Sequence, residues 1–176
     1  AHAFPNAMFN FLAQPRVNVF DDVLQKIPEA RFETVQQRVG QTSFYYKNTS
    51  VFSYLSDTTP YLSSTRDVLR SDMANQLSYV WRVAGLHVNP YVGHRDTYYR
   101  RGVVQESFLR GMFFSGVDLS TKFFRVYDVA TQKAGLDIDK LRHIITPQIR
   151  YRYQHKPTVA AERLLQLDAV DTLDRR

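Results

Sequence analysis

Residues 146–154 read Thr146-Pro147-Gln148-Ile149-Arg150-Tyr151-Arg152-Tyr153-Gln154, preceded by Ile145. In an extended chain Ile145, Pro147, Ile149, Tyr151 and Tyr153 share one side, and Thr146, Gln148, Arg150, Arg152 and Gln154 share the other. A period of two scatters around a helix but sorts the residues cleanly on a strand. The fold class follows from this stretch: one face is apolar and aromatic, the other is basic and polar.

The same alternation recurs along the chain. Leu86, Val88, Pro90 and Val92 oppose His87, Asn89, Tyr91, Gly93 and Arg95, and Leu77, Tyr79, Trp81 and Val83 oppose Ser78, Val80, Arg82 and Ala84. Between Met112 and Tyr127, Phe113, Ser115, Val117, Leu119, Thr121 and Phe123 oppose Gly116, Asp118, Ser120 and Lys122. Met8–Phe20 and Ser43–Ser56 are further strands, and Ala30–Gln36 is a shorter one. Asp21–Pro28, Ser56–Asp72, Thr97–Arg110 and Asp128–Lys140 read as connections. Thr158–Leu167 reads equally as a helical turn or an ordered loop. Pro15, Pro90 and Pro147 fall inside strands, where each lacks a ladder donor and marks either a bulge or weakened pairing.

Composition narrows the classes. The 176 residues contain no Cys, which excludes disulfide frameworks, Cys-based zinc sites and thiol nucleophiles. Aromatic residues make up 14% of the chain, with 11 Tyr and 12 Phe, well supplied for interfaces. Residues 1–88 hold 8 basic and 7 acidic side chains and residues 89–176 hold 15 and 10, so most of the net +6 charge lies in the second half. A basic half suits an anionic ligand, nucleic acid or an acidic membrane surface. No uncharged apolar run reaches the roughly 18 residues of a membrane helix. The opening Ala1-His2-Ala3-Phe4-Pro5 lacks the features of a signal peptide, so a mature protein or an excised segment is expected. The strands match or exceed the roughly 9–11 residues that a tilted membrane strand needs. Tyr45-Tyr46, Tyr98-Tyr99, Phe123-Phe124-Tyr127 and Tyr151/Tyr153 lie towards strand ends, where aromatic girdles form. Composition and spacing alone leave two architectures open: an outer-membrane barrel and a large soluble β-sheet protein.

A family resemblance weighs on that choice. Leu141-Arg142-His143-Ile144-Ile145-Thr146-Pro147-Gln148-Ile149-Arg150-Tyr151-Arg152-Tyr153, followed by Gln166-Leu167-Asp168-Ala169-Val170-Asp171, resembles the LptD family of outer-membrane lipopolysaccharide (LPS) assembly proteins. The first part is similar to its strand with Pro followed by two alternate Tyr. The second is similar to its "FD-x-x-D" element, with Leu167 where Phe is more usual. Leu24–Phe32 and Asn89–Tyr99 resemble two further strand starts of the family, in the same order. The resemblance implies an all-β, antiparallel, up-and-down transmembrane β-barrel segment, with residues 1–176 forming a partial barrel domain. The family's N-terminal periplasmic jelly-roll domain and the remaining barrel strands are expected to lie outside this sequence. At about 20 residues per strand and connection, the chain holds roughly seven to nine long strands, against about 26 in large barrels. An open curved sheet is therefore expected, taken from the middle of the barrel, because Asp174-Arg175-Arg176 is a poor barrel terminus.

The function implied is insertion of LPS into the outer leaflet, in the cell outer membrane. The implied partners are LPS, outer-membrane lipids and, in the full-length protein, an LptE-like plug lipoprotein and a periplasmic LPS bridge protein. No enzyme activity, cofactor or metal is expected: the five His lack ligand spacing, and no Gly-x-Ser-x-Gly elbow or phosphate loop is present. Arg16, Arg82, His87, Arg95, Arg150 and Arg152 are the candidate lumen-lining basic residues. They are read either as charges attracting LPS phosphates or as ordinary wet lining. Every His is expected in the lumen or a loop. A general porin or other barrel transporter is the alternative in the same class. A soluble basic sheet that binds nucleic acid is the third reading. Stacking on bases would need basic and aromatic residues on one face, whereas residues 145–154 separate them, so no nucleic-acid partner is expected.

Overall fold

The computed structural model describes residues 2–3, 5–18, 24–58, 65–101, 106–130, 139–164 and 167. These residues form an all-β structure with no α-helix among them. The strands are β1 (His2–Ala3), β2 (Ala7–Gln14), β3 (Gln25–Thr34), β4 (Gln37–Arg38), β5 (Phe44–Thr58), β6 (Thr65–Tyr79), β7 (Trp81–Val83), β8 (Leu86–Arg101), β9 (Ser107–Thr121), β10 (Phe123–Tyr127), β11 (Leu141–Ile145) and β12 (Gln148–Gln154). One antiparallel sheet runs β1-β2-β3-β5-β6-β8-β9-β12, with β4 on β5 and β7 on β8, while β10 and β11 form a separate two-stranded ribbon. Neighbours in the sheet follow chain order, which makes an up-and-down meander. The outermost strands, β1 and β12, are not paired with each other, so the sheet is open.

Register fixes the faces. Ile149 pairs with Leu119 and Leu119 with Val88; Arg150 pairs with Asp118 and Asp118 with Asn89. Side chains of paired residues share a face, so Leu86, Val88, Val92, Ile149 and Tyr151 lie on one side of the sheet. His87, Asn89, Arg95, Gln148, Arg150 and Arg152 lie on the other, as their sequence pattern predicts. Ile145 belongs to the β10–β11 ribbon, whose register continues that of β9 and β12.

Several boundaries differ from the sequence reading. The described parts of Ser56–Asp72 and Thr97–Arg110 are mostly strand: β6 begins at Thr65, β8 continues to Arg101 and β9 begins at Ser107, while 59–64 and 102–105 lie outside the described residues. The reason is local packing. Residues 155–164 fold back over this end, with the Thr158 amide donating to the Gly111 carbonyl and His155 to that of Phe113. Leu164 is buried with Leu55, Val68 and Tyr99, beside Leu24, Phe108, Val159 and Leu167. Apolar residues are thus needed on both faces here, and Val68-Leu69 and Phe108-Leu109 lose the alternation that marks a strand. The same packing decides residues 158–164 of the expected Thr158–Leu167 segment, where one 3-10 turn, Ala161–Arg163, interrupts irregular backbone; residues 165–166 lie outside the described residues. β2 ends at Gln14 and residues 15–18 are not strand, so Pro15 lies outside the sheet; the rest of the expected Met8–Phe20 strand, from 19 on, lies outside the described residues. Pro147 sits between β11 and β12, its carbonyl accepting from the Thr121 amide.

Pro90 marks no bulge. The pairs Ser78↔Tyr91 and Trp81↔Val88 stay in phase on either side of it, and β8 stays in register with β9 throughout. The adjacent strand breaks instead: Val80, between β6 and β7, turns its amide to the Ser43 carbonyl. A neighbour facing a residue without an N–H loses a ladder partner. The register shift lies at Ile27-Pro28, in a part of β3 read from sequence as connection.

β8 and β9 are locked by two reciprocal ring–glycine pairs. Tyr91 faces Gly116 and Phe114 faces Gly93. A Cβ on Gly93 would fall within 3.0 Å of the Phe114 ring and the Asn75 carbonyl; one on Gly116 would meet the Tyr91 ring and the Tyr151 carbonyl as closely. Each ring lies where the missing side chain would stand. Gly93→Ala and Gly116→Ala are each expected to destabilise the sheet by about 1–3 kcal/mol, read as a lower urea midpoint. Gly111→Ala is the control: its Cβ would meet only a movable Asp96 carboxylate oxygen at 3.3 Å and the Thr158 methyl at 3.9 Å, and near-neutral behaviour is expected.

The β7–β8 turn gives the opposite case. Val83 pairs with Leu86, and the two loop residues, Ala84 (φ 47) and Gly85 (φ 81), are both left-handed, the signature of a type I′ hairpin. A Cβ is disfavoured at Ala84. Ala84→Gly or Ala84→Asn should raise stability by about 1 kcal/mol in the same titration.

Candidate functional site

The sheet buries a group of charged residues and exposes many of its apolar ones. On the polar face Asp72, Thr97, Arg70 and Arg110 are no more than 4% exposed. On the opposite face Ile149, Phe113, Leu109 and Tyr151 are each more than 60% exposed. Among the described residues no second layer covers either face of most of the sheet, so the buried part of the polar side is shielded by its own side chains and by residues 155–164.

A row across β6, β8 and β9 builds the centre of the shielded face. Asp72 pairs with Thr97 in register, Thr97 with Arg110, and Arg95 lies one position along β8 on the same face. Arg95 Nε donates to Asp72 Oδ1 at 2.8 Å and Arg95 Nη2 to Oδ2 at 2.7 Å, a bidentate clamp. The Thr97 hydroxyl adds a third bond to Oδ1 at 2.7 Å. A carboxylate buried this deeply needs that many donors, because an unpaired buried charge costs several kcal/mol.

The six sequence candidates divide accordingly. Arg95 is committed to Asp72. Arg150 meets Asp118 at 3.0 Å in an exposed pair. Arg152 lies with its guanidinium 5.4 Å from the centre of the Phe114 ring. Arg82 and His87 face each other in register, continued by Ser120 and Gln148 across β9 and β12. Arg16 stands apart, past the end of β2, donating to the backbone carbonyls of Asn18 and Thr58. Among the described residues no carboxylate pairs with Arg82 or Arg152. The structure therefore gathers five of the six on one face, two of them neutralised by Asp72 and Asp118.

Asp72, Arg70 and Arg110 were missed by sequence reasoning, because they fell in supposed connections. The available signal was the run Val68-Arg70-Asp72-Ala74 alternating with Leu69, Ser71 and Met73. Tyr91 and Phe114 add rings to the polar face near Arg152, so aromatic and basic residues are less separated than residues 145–154 suggested. Those rings cover Gly116 and Gly93, which commits them to the sheet rather than to stacking on a ligand.

A second polar cluster interrupts the apolar face. Tyr46 Oη donates to Asn75 Oδ1 at 2.5 Å and Asn48 Nδ2 donates to the same oxygen at 2.8 Å. Ser50 Oγ donates to Asn48 Oδ1 at 3.0 Å, and Asn75 Nδ2 lies 3.2 Å from His94 Nε2. His94 is 3.6 Å from Asp96 and 6.1 Å, ring centre to ring centre, from Phe113. His94 thus shares a face with Val92 and Tyr98, against the expectation that every His lies in the lumen or a loop. The groups satisfy one another across β5, β6 and β8, as polar groups must where water is scarce.

Comparison of the chain with protein-family models, with curated proteins and with solved structures finds no match.

The two acid–arginine pairs should behave differently on truncation. Asp72→Ala strands Arg95, whose side chain is 22% exposed, and is expected to cost about 3–5 kcal/mol. Asp118→Ala leaves Arg150 in water and should cost less than about 1 kcal/mol. Urea midpoints of the two variants measure the contrast, and Arg95→Leu combined with Asp72→Ala should recover much of the larger loss.

Proposed function

We propose that the chain is a section of an outer-membrane β-barrel of LPS transport and assembly, its shielded polar face lining the wet side. The observation that carries this reading is the inverted sheet. A water-soluble sheet buries its apolar face against a second layer. Here the apolar face is exposed along strands of up to 16 residues, while the polar face buries Arg70, Asp72, Thr97 and Arg110 and is open from Arg82 to Arg152. Lipid is the solvent in which that distribution is favourable. The open ends of the sheet fit a segment whose neighbouring strands lie elsewhere in a larger barrel. The resemblance to the LptD family and the cations on the polar face favour an anionic amphiphile as cargo. No bond is made or broken: fixed charges beside a low-dielectric wall raise the local concentration of phosphates and ease their passage.

Arg82 and Arg152, which have no carboxylate partner among the described residues, are the residues to test. Replacing either by Gln in the full-length protein should change LPS delivery little, because the remaining charges preserve the potential. Arg82→Glu with Arg152→Glu should slow delivery severalfold while the amount of folded barrel stays constant, since neither side chain supports the Asp72 cluster. Surface-exposed LPS and heat-modifiable barrel are measured on the same membranes. Normal surface LPS in the double variant would reduce these arginines to hydrated lining.

A further inference from the structure

The ribbon of β10 and β11 projects past the β7–β8 turn, and nothing in the conduit reading uses it. Phe123 pairs with Ile145, Phe124 with Ile144, Arg125 with His143, Val126 with Arg142 and Tyr127 with Leu141. One face therefore carries Phe123, Arg125, Tyr127, Leu141, His143 and Ile145, and the other Phe124, Val126, Arg142 and Ile144. Every one of these residues is exposed, Phe123 and Phe124 by more than 60%. Each face also bears a cation over a ring: Arg125 lies 5.1 Å from the centre of Tyr127, and Arg142 lies 4.5 Å from that of Phe124. Lys122 and Lys140 flank the base and tip ends of the two strands.

A two-stranded hairpin apolar on both faces has no core of its own and is marginal in water. A docked protein surface would cover one face and leave the other wet, whereas an enveloping medium covers both. The depth is limited too. Among the described residues β10 pairs only with β11, and β8 begins at Leu86 opposite Thr121, so the outer backbone edge of β10 lacks ladder partners and needs polar groups around it. That excludes the hydrocarbon core and leaves the headgroup layer, where rings sit at the boundary and cations extend to phosphates. We infer that the β10–β11 ribbon is an interfacial anchor that lies in the phosphate-bearing headgroup layer of the membrane and prefers anionic lipid. The inference rests on the membrane reading of the sheet, and its test separates the two.

The full chain, with its single tryptophan removed as Trp81→Phe, is reconstituted in phosphatidylcholine vesicles with and without phosphatidylglycerol. Phe124→Trp reports on the ribbon and Ile149→Trp on the apolar sheet face. Lipids brominated near the headgroup or near the chain end quench each reporter according to depth. The ribbon reporter is expected to be quenched mainly by shallow bromine, more strongly in anionic vesicles. Arg125→Gln and Arg142→Gln should each lower the anionic preference by about fivefold. A ribbon reporter that stays water-exposed, or is quenched alike in both lipids, while the Ile149 position is quenched by bromine along the chains would overturn the anchor and leave the membrane reading standing. An Ile149 position untouched by any bromine would overturn both.

Discussion

A sheet without a second layer can shield only one face, and this one shields the face that holds charge. That constraint governs the rest. Asp72 is nearly inaccessible, so it must be met by the two nitrogens of Arg95 and the hydroxyl of Thr97. Those donors come from β8, and their register with β6 is therefore fixed: sliding by one residue would send Asp72 to the apolar side and bring Ser71 or Met73 inward. Long strands make the penalty for slippage grow with every pair. On the proposed membrane reading, lipid meets the open apolar face.

Shape complementarity across β8 and β9 adds a second restraint. Tyr91 over Gly116 and Phe114 over Gly93 are large-on-small pairs that work only in one register, and Arg152 lies against the outermost of these rings. At the far end, Leu164 and its neighbours on the returning 155–164 segment make a small dry core on the polar face. The polar face thus has two zones: an apolar plug near Leu55 and Tyr99, and a charged row from Asp72 towards Arg82 and Gln148. A ligand drawn to the face by charge would find the Arg82–Gln148 end the more accessible, because Arg82, His87, Gln148, Arg150 and Arg152 are exposed and, among the described residues, Arg82 and Arg152 lack acid partners.

Residues with regular alternation were legible in the sequence. Residues 146–154 and 86–95 placed Ile149 with Val88 and Arg150 with Asn89, and the pairings through Leu119 and Asp118 agree. Legibility failed where both faces carry the same kind of residue. Val68-Leu69 and Phe108-Leu109 serve an inner core and an outer surface at once, so β6, β8 and β9 looked shorter than they are. With those residues taken as connections, Asp72, Arg70 and Arg110 dropped out of the candidate site. His94 was misjudged for a related reason: its polar partner Asn75 lies 19 residues away in the chain and Asn48, which bonds Asn75, lies 46 away, and only pairing brings them together.

The sequence by itself determined the β character of this chain and, in its regularly alternating stretches, which side chains share a face, because these depend on a two-residue period that neighbours in the chain already carry. It also determined the presence of a basic, polar side. Which cations remain available was decided by tertiary structure alone. Arg95 and Arg150 look equivalent to Arg82 and Arg152 in the sequence, yet strand pairing sets Asp72 and Asp118 beside the first two and none beside the others. The same holds for the ribbon, whose alternation matches the strands before and after it. Only the arrangement of neighbours leaves β10 and β11 without a third strand, since lateral pairing is made between segments far apart in the chain and cannot be read from a local period.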